Sequence, residues 1–543
     1  MLSTAAIVAA GVGLVPGAAN AAGQDDAKGT SGPGVAAPDL DLTGAKAKAY
    51  GEVKASSPAA KTVHPTVKGG QSAAATEPVV ALQAEASSAH GVQLKLDVTS
   101  DPGTALGVLV EWGDGSSEQV GANGPTNLTS NHVYSKTGAY TVKVSLLSGP
   151  TVVGTNQLVF RTAGNEFTPH APTRLLDTRD GTGAPRHQVP AYGTARIKVG
   201  GAAQIPAGVT AVALNVTVTN AGGAGHVRVY ADGGELPTTS NVNYSVGQTV
   251  PNLVIASVGN NGYVNVYNGG DRPIDLVADV TGYFSKTAAN GYTPVTPSRV
   301  VDTREGLGTG RGHVPGQGTF STQITGRGGV PSSAKAVALN VTVTDTKEAG
   351  HLTVYPSGGA APTASNLNFG PRHTIANSVI VPIGADGRIS IRNGAWAGTH
   401  VIVDVVGYYS PESEGALVRN TPSRWFDTRE MGGPLDGRAY IYGQFGDADP
   451  NITAVVTNAT VTNGKDAGFL TVAPDPYSWA DYENGWAGEP TPPNSSNLNW
   501  LPRQTVPNLV QATNGTHGVI DFWNMSWSST DLIVDTFGFY AKN

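Results

Sequence analysis

Hydrophobic and polar positions alternate with a period of two through most of this chain. Val92, Leu94, Leu96 and Val98 are separated by Gln93, Lys95 and Asp97. In Ala211–Thr219, Val212, Leu214, Val216 and Val218 share one face, and Asn215, Thr217 and Thr219 share the other. Successive side chains of a strand leave opposite faces of the sheet, so this pattern predicts strands with one face in a core. Tyr140–Val144 and Ile274–Val280 read the same way, and Gly113-Asp114-Gly115 marks a hairpin turn. The expected class is all-β, built of short antiparallel strands.

The pattern is also written three times. Arg174-Leu-Leu-Asp-Thr-Arg179 recurs as Arg299-Val-Val-Asp-Thr-Arg304 and Arg424-Trp-Phe-Asp-Thr-Arg429, with Asp177, Asp302 and Asp427 spaced 125 residues apart. Ser240-Asn-Val-Asn243 returns at Ser365–Asn368 and Ser496–Asn499. Asp279-Val-Thr-Gly-Tyr283 returns at Asp404–Tyr408 and Asp535–Phe539. Each copy is about 120 residues, too long for a solenoid repeat and long enough for its own core. The expected organisation is a signal segment over 1–21, a disordered linker over 22–76 and a β-sandwich over 77–163. Three copies follow, over 165–286, 290–411 and 415–543. Each copy is expected to be a sandwich rather than a closed barrel.

Trp112-Gly-Asp-Gly115, His132-Val-Tyr134 and Gly138-Ala-Tyr-Thr-Val142 together resemble the PKD domain. That resemblance implies an immunoglobulin-like sandwich with the Trp and Tyr in its core and no catalysis of its own. The three copies resemble the LLDTR/SNLN repeats of secreted proteins from high-GC Gram-positive bacteria. This implies an extracellular, cell-surface-associated module and no defined chemistry.

Composition narrows the function classes. Charged residues are 14% of the chain, below the ~25% usual for soluble domains, and glycine accounts for 71 of 543 positions. The formal net charge of −7 disfavours a nucleic-acid partner. The absence of cysteine excludes disulfides, thiolate metal sites and a cysteine nucleophile. Ala5–Val15 followed by Ala19-Asn-Ala21 has the form of a signal h-region and cleavage site, but lacks a basic n-region: Lys28 is the first lysine or arginine. No later stretch has the length to span a bilayer. Residues 22–76 hold few aromatics and are too weakly apolar to offset the entropy of ordering.

Candidate chemistry is sparse. There is no nucleophile elbow, zincin helix or phosphate loop. In the repeated motif, Asp177, Asp302 and Asp427 are flanked by Arg174 and Arg179, Arg299 and Arg304, and Arg424 and Arg429. These sets are expected to be structural ion pairs, with a calcium site at Asp177 and acid–base use on a glycosidic bond as alternatives. The recurring asparagines offer donors and acceptors together, which suits either bracing turns or reading sugar hydroxyls. The third copy is longer: 39 residues separate Asn458 from Asn497, against 26 between Asn215 and Asn241. Its insertion carries Tyr477, Trp479, Tyr482 and Trp486, and that copy holds six of the 8 tryptophans. These four aromatics are the candidate ligand-binding residues, in an irregular surface loop suited to stacking on sugars. The expectation is a secreted, non-enzymatic protein that binds polysaccharide or another cell-surface component, with no cofactor and no metal. A structural adhesin or appendage subunit and an extracellular carbohydrate-active hydrolase are the alternatives.

Overall fold

The computed structural model describes residues 34–38, 42–65, 76–445 and 449–542. The signal expected over 1–21 lies outside the described residues. Strands dominate, and no helix among the described residues is long and apolar enough to cross a membrane.

The segments that alternate between 79 and 161 form two packed sheets. One pairs Val79–Ala86, Gly91–Thr99 and Thr126–Val133. The other runs Ser117–Asn123, Ala105–Glu111, Ala139–Ser148, Thr151–Arg161. This strand order is that of an immunoglobulin-like sandwich. Trp112 and Tyr134 are in its core, and the Tyr134 hydroxyl donates to the Trp112 carbonyl at 3.2 Å.

Each of the three copies contributes eight strands, four to each of two sheets. In the third copy one of these sheets gains a fifth strand from the N-terminal segment. The first copy begins with Glu166–Asp177 and ends with Asp275–Ser285, the second spans Gly291–Asp302 to His400–Ser410, and the third spans Ala416–Asp427 to Asp531–Ala541. In every copy the first, eighth, third and sixth strands make one sheet, and the second, seventh, fourth and fifth make the other. Two sheets wound in this order are a jelly roll, a double-sheet sandwich with Greek-key connections.

The copies are not independent. All nine residues of Ala211–Thr219, and of its equivalent Ala336–Thr344, are buried on both faces. The valine and leucine face fills each copy's own sandwich. The opposite face meets the sister copies in a shared core with Ala211, Ala213, Ala336, Ala338, Ala454 and Val456. Small residues there let three sheets approach closely, and Phe167, Tyr292, Tyr409 and Tyr540 fill the remaining space. The first strands also cross between copies, through Asn165–Leu417, Phe167–Asn290 and Tyr292–Gly415 bridges.

The expected disordered linker requires correction. Residues 34–38 and 42–65 are ordered against neighbours. Val35–Ala36 adds in parallel to Ile441–Tyr442, Leu42–Gly51 is a helix, and Lys54–Ser57 pairs with Leu82–Glu85. A segment too polar to build a core still folds when sheet edges supply partners for its backbone. Ala37 and the Trp425 indole, which donates to the Pro38 carbonyl at 3.1 Å, fasten it to the third copy.

Candidate functional site

The repeated Arg-x-x-Asp-Thr-Arg motif ends the first strand of each copy and folds into an alternating chain of charges. Arg179 donates Nε and Nη2 to Asp177 at 2.8 and 2.6 Å. Arg174 reaches Asp177 at 3.0 Å and takes Asp279 in a fork at 3.0 and 3.2 Å. Arg299, Asp302 and Arg304 repeat this with Asp404, and Arg424, Asp427 and Arg429 with Asp535. The Arg179 hydrogen bonds hold Asp177 below the usual carboxylate range, while burial pushes Asp279 up. Both oxygens of Asp177 face guanidinium groups, so a calcium ion there would meet cations instead of free carboxylate. The second acid of each set, on the eighth strand, recurs in the sequence but is brought to the motif only by the sheet pairing.

Of the recurring asparagines, Asn215, Asn340 and Asn458 are buried where copies meet. Asn215 donates to the Ser365 carbonyl at 2.6 Å, Asn340 to that of Ser496, and Asn458 to that of Ser240 at 2.9 Å. Each contact runs from one copy to the next, and the three together close a ring. Amides consumed in this way are not open to a sugar.

The third-copy insertion differs from the irregular loop expected. Trp479–Glu483 is a short helix with a capping box: Ser478 Oγ accepts from Asp481 N, and Asp481 Oδ2 accepts from Ser478 N at 2.8 Å. This one turn brings Tyr482 down onto Tyr442, with ring centroids 3.7 Å apart. The Tyr482 hydroxyl donates to buried Asp475 at 2.5 Å. Burial and the adjacent Asp475 push Asp521 up to about 10, which favours its protonated form. Tyr477 and Trp479 are half-buried, Tyr477 edge-on to Tyr482 and Trp479 tilted against Tyr442. Of the four aromatic candidates, only Trp486 stands free, 74% exposed. Tyr482 therefore belongs to the packing of the insertion.

A second aromatic feature went unselected in the sequence. Trp396 and Trp527 occupy equivalent places in the loops joining the seventh and eighth strands of copies two and three, 83% and 71% exposed. Their loops are rigidly held. Asn393 donates Nδ2 to the carbonyls of Val314, Pro315 and Ala397 at 3.1, 3.2 and 2.9 Å; Asn524 does the same for Leu435, Asp436 and Ser528 at 3.0, 2.9 and 3.0 Å. Backbone lies so close that a Cβ on Gly316 would strike the Trp396 carbonyl, and one on Gly437 would strike Trp527. Glu348 accepts from the amides of Trp396 and Ala397 at 2.5 and 2.7 Å, and the Arg438 guanidinium lies 4.4 Å from the Trp527 ring centre. Copy one keeps the bracket through Asn268 but has Asp271 at the tryptophan position. Aligning the copies on Asn268, Asn393 and Asn524 would have exposed the pair.

His313, Asp345 and His400 in the second copy place their ligating atoms within 4.8 Å of one another. Asp345 already accepts from His313 at 2.7 Å and from Lys347 at 2.6 Å. At the equivalent place in copy one, Asp275 accepts from Thr178 and Asn220 at 2.7 and 2.8 Å. The cluster is that same brace with donors and acceptors exchanged, and both Asp345 oxygens are already taken, one by His313 and the other by the Lys347 ammonium.

No family model matches the chain, and no curated protein matches it. Among solved structures it is similar to a chain of the atomic structure of Sulfolobus Turreted Icosahedral Virus, at 9% identity and a TM-score of 0.14, covering 75% of this chain and 91% of that one. It is likewise similar to a chain described under the triple jelly roll fold and turret assembly in an archaeal virus. That match has 9% identity and a TM-score of 0.14, and covers 69% of this chain and 90% of the other.

Proposed function

We propose that this is a secreted, surface-associated, non-enzymatic protein that binds polysaccharide through exposed tryptophans on its jelly-roll copies. The observation that carries this reading is the equivalence of Trp396 and Trp527. Two large apolar rings stand in water at matching positions, each on a loop fastened by an asparagine bracket. Exposed tryptophan is costly in water and suits stacking on the flat faces of sugar rings. Holding the loop in advance reduces the entropy lost on binding. Two weak sites on one rigid body add through effective concentration when the ligand is a polymer. Trp486 provides a third ring on the third copy.

Retention of the full chain on insoluble chitin, cellulose, pectin and peptidoglycan tests the reading. Trp396→Ala with Trp527→Ala should weaken retention on one of these by about tenfold or more, each stacked ring contributing on the order of 1 kcal/mol. Circular dichroism and the melting curve should be unchanged, because neither ring is packed in a core. Retention on none of them, or unaltered retention by the double variant, overturns the proposal. The adhesin or appendage reading draws support from the extent to which the copies bury one another, and it predicts no polysaccharide retention.

A further inference from the structure

A cavity of about 920 Å³ lies where the first copy, the third copy and the N-terminal helix Leu42–Gly51 meet. Its charged lining is Lys48, Glu52, Glu235, Lys286 and Arg419, three cations against two acids. Arg419 and Lys286 are the two cations set deepest in its wall. Arg419, on the first strand of copy three, donates Nη1 to the Thr210 carbonyl of copy one at 3.1 Å, while its Nε is buried with no partner. Lys286, just beyond the last strand of copy one, is half-buried in the same wall. Among the described residues, neither has a carboxylate within ion-pair distance. The acid that acts on Arg419 is Glu52, from farther away on the N-terminal strap formed by residues 34–38 and 42–65.

This arrangement belongs to one junction of the three. Arg419 pairs in register with Gly538; the equivalent positions of the sister copies, facing Gly282 and Gly407, are Pro169 and Pro294. The strap, whose Lys48, Glu52 and Val53 line the opening, covers this junction. A buried guanidinium nitrogen without an acceptor is destabilising, and a second cation nearby adds to that cost. Burial, with Arg419 and Arg161 close by, brings Lys286 down to about 8. The remaining wall supplies Thr238, Ser257 and Asn260, neutral groups that can donate or accept.

We propose that this cavity binds an oxyanion-bearing ligand, with the anionic oxygens between Arg419 and Lys286 and a hydroxylated body against Thr238, Ser257 and Asn260. A carboxylate or a sulfate or phosphate oxyanion neutralises the two cations, and the volume admits an attached sugar-sized group. The inference does not depend on the exposed tryptophans, which lie on other loops.

Isothermal titration of the full chain with sodium glucuronate, sodium sulfate, inorganic phosphate and neutral glucose tests it. At least one anion should bind with one-to-one stoichiometry, and glucose should bind at least tenfold more weakly. Preference for glucuronate identifies a carboxylate ligand, and preference for sulfate or phosphate identifies an ester of those acids. Lys286→Gln makes no hydrogen bond to lose among the described residues, and it should weaken the favoured anion by about tenfold or more. Arg419→Gln should do the same, and Trp396→Ala with Trp527→Ala should leave anion binding unchanged. Binding of none of the anions, or binding that survives both Lys286→Gln and Arg419→Gln, overturns the proposal.

Discussion

Asn252 donates its side-chain amide to Oδ1 of Asn458 at 3.0 Å, across 206 residues of chain. Asn377 does the same to Asn215 at 3.1 Å, and Asn508 to Asn340 at 3.1 Å. The third, first and second copies are thus each held by an amide from a sister. Every asparagine of the set also bonds a neighbouring backbone group, so the ring leaves few amide groups idle.

Asn458→Ala should cost about 1–3 kcal/mol, because it strips a partner from buried Asn252 and from the Ser240 carbonyl. The loss should appear as a lower melting temperature of the whole three-copy body, not of the third copy alone. Scanning calorimetry of the full chain should show one transition for the three copies. Separate transitions that leave two copies unaffected by Asn458→Ala would contradict the shared core.

Asp302→Ala should destabilise by about 3 kcal/mol, since Asp302 is buried and lies between Arg299 and Arg304. Burial opposes its charge, but the Arg304 hydrogen bonds and charge win and hold it below the usual carboxylate range. A carboxylate whose folded pKa is lowered contributes stability that is present above its unfolded pKa, near 4, and lost as pH falls through the folded value. Urea denaturation between pH 2 and pH 6 should therefore show a steeper acid loss in the parent than in Asp302→Ala.

The strands and the three copies were legible in the sequence because both leave periodic marks: Val212 to Val218 at a spacing of two, and Asp177 to Asp427 at 125. Closure of the copies was not. Ala211 and Ala213 read as the weak side of an amphipathic strand, since alanine suits a surface as well as a tight interface. The informative residue was mid-strand Asn215, a poor strand former that remains because its amide crosses to Ser365. The strap around Val35 and Lys54 left no trace, because strand addition uses backbone groups that every residue carries. The acids Asp279, Asp404 and Asp535 were visible as recurring letters, but their pairing with the arginines depends on sheet register.

Tyr482→Phe should separate packing from binding in the insertion. The change keeps the ring stacked on Tyr442 and removes the hydroxyl that reaches buried Asp475. The expected cost is about 1–3 kcal/mol, typical of a buried acceptor that loses its donor. Polysaccharide retention by the folded variant should match the parent. A variant that melts normally but loses retention would return Tyr482 to the binding surface.

Asp521 supplies the clearest pH signature. Its pKa rises from 3.8 to about 10, first through burial and then through Asp475 beside it. For a group whose folded pKa is raised, stability is fully present below the unfolded pKa and declines as pH climbs toward the folded value. Between pH 4 and pH 10 the third copy should therefore weaken steadily, in the opposite sense to the acid loss tied to Asp302. Asp521→Asn keeps a donor for Asp475 and has no proton to lose, so its melting temperature should be flatter across that range and exceed the parent's at pH 9. Parallel melting curves for parent and variant from pH 5 to pH 9 would mean that Asp521 is ionised in the folded protein, and that Asp475 and Asp521 do not share a proton.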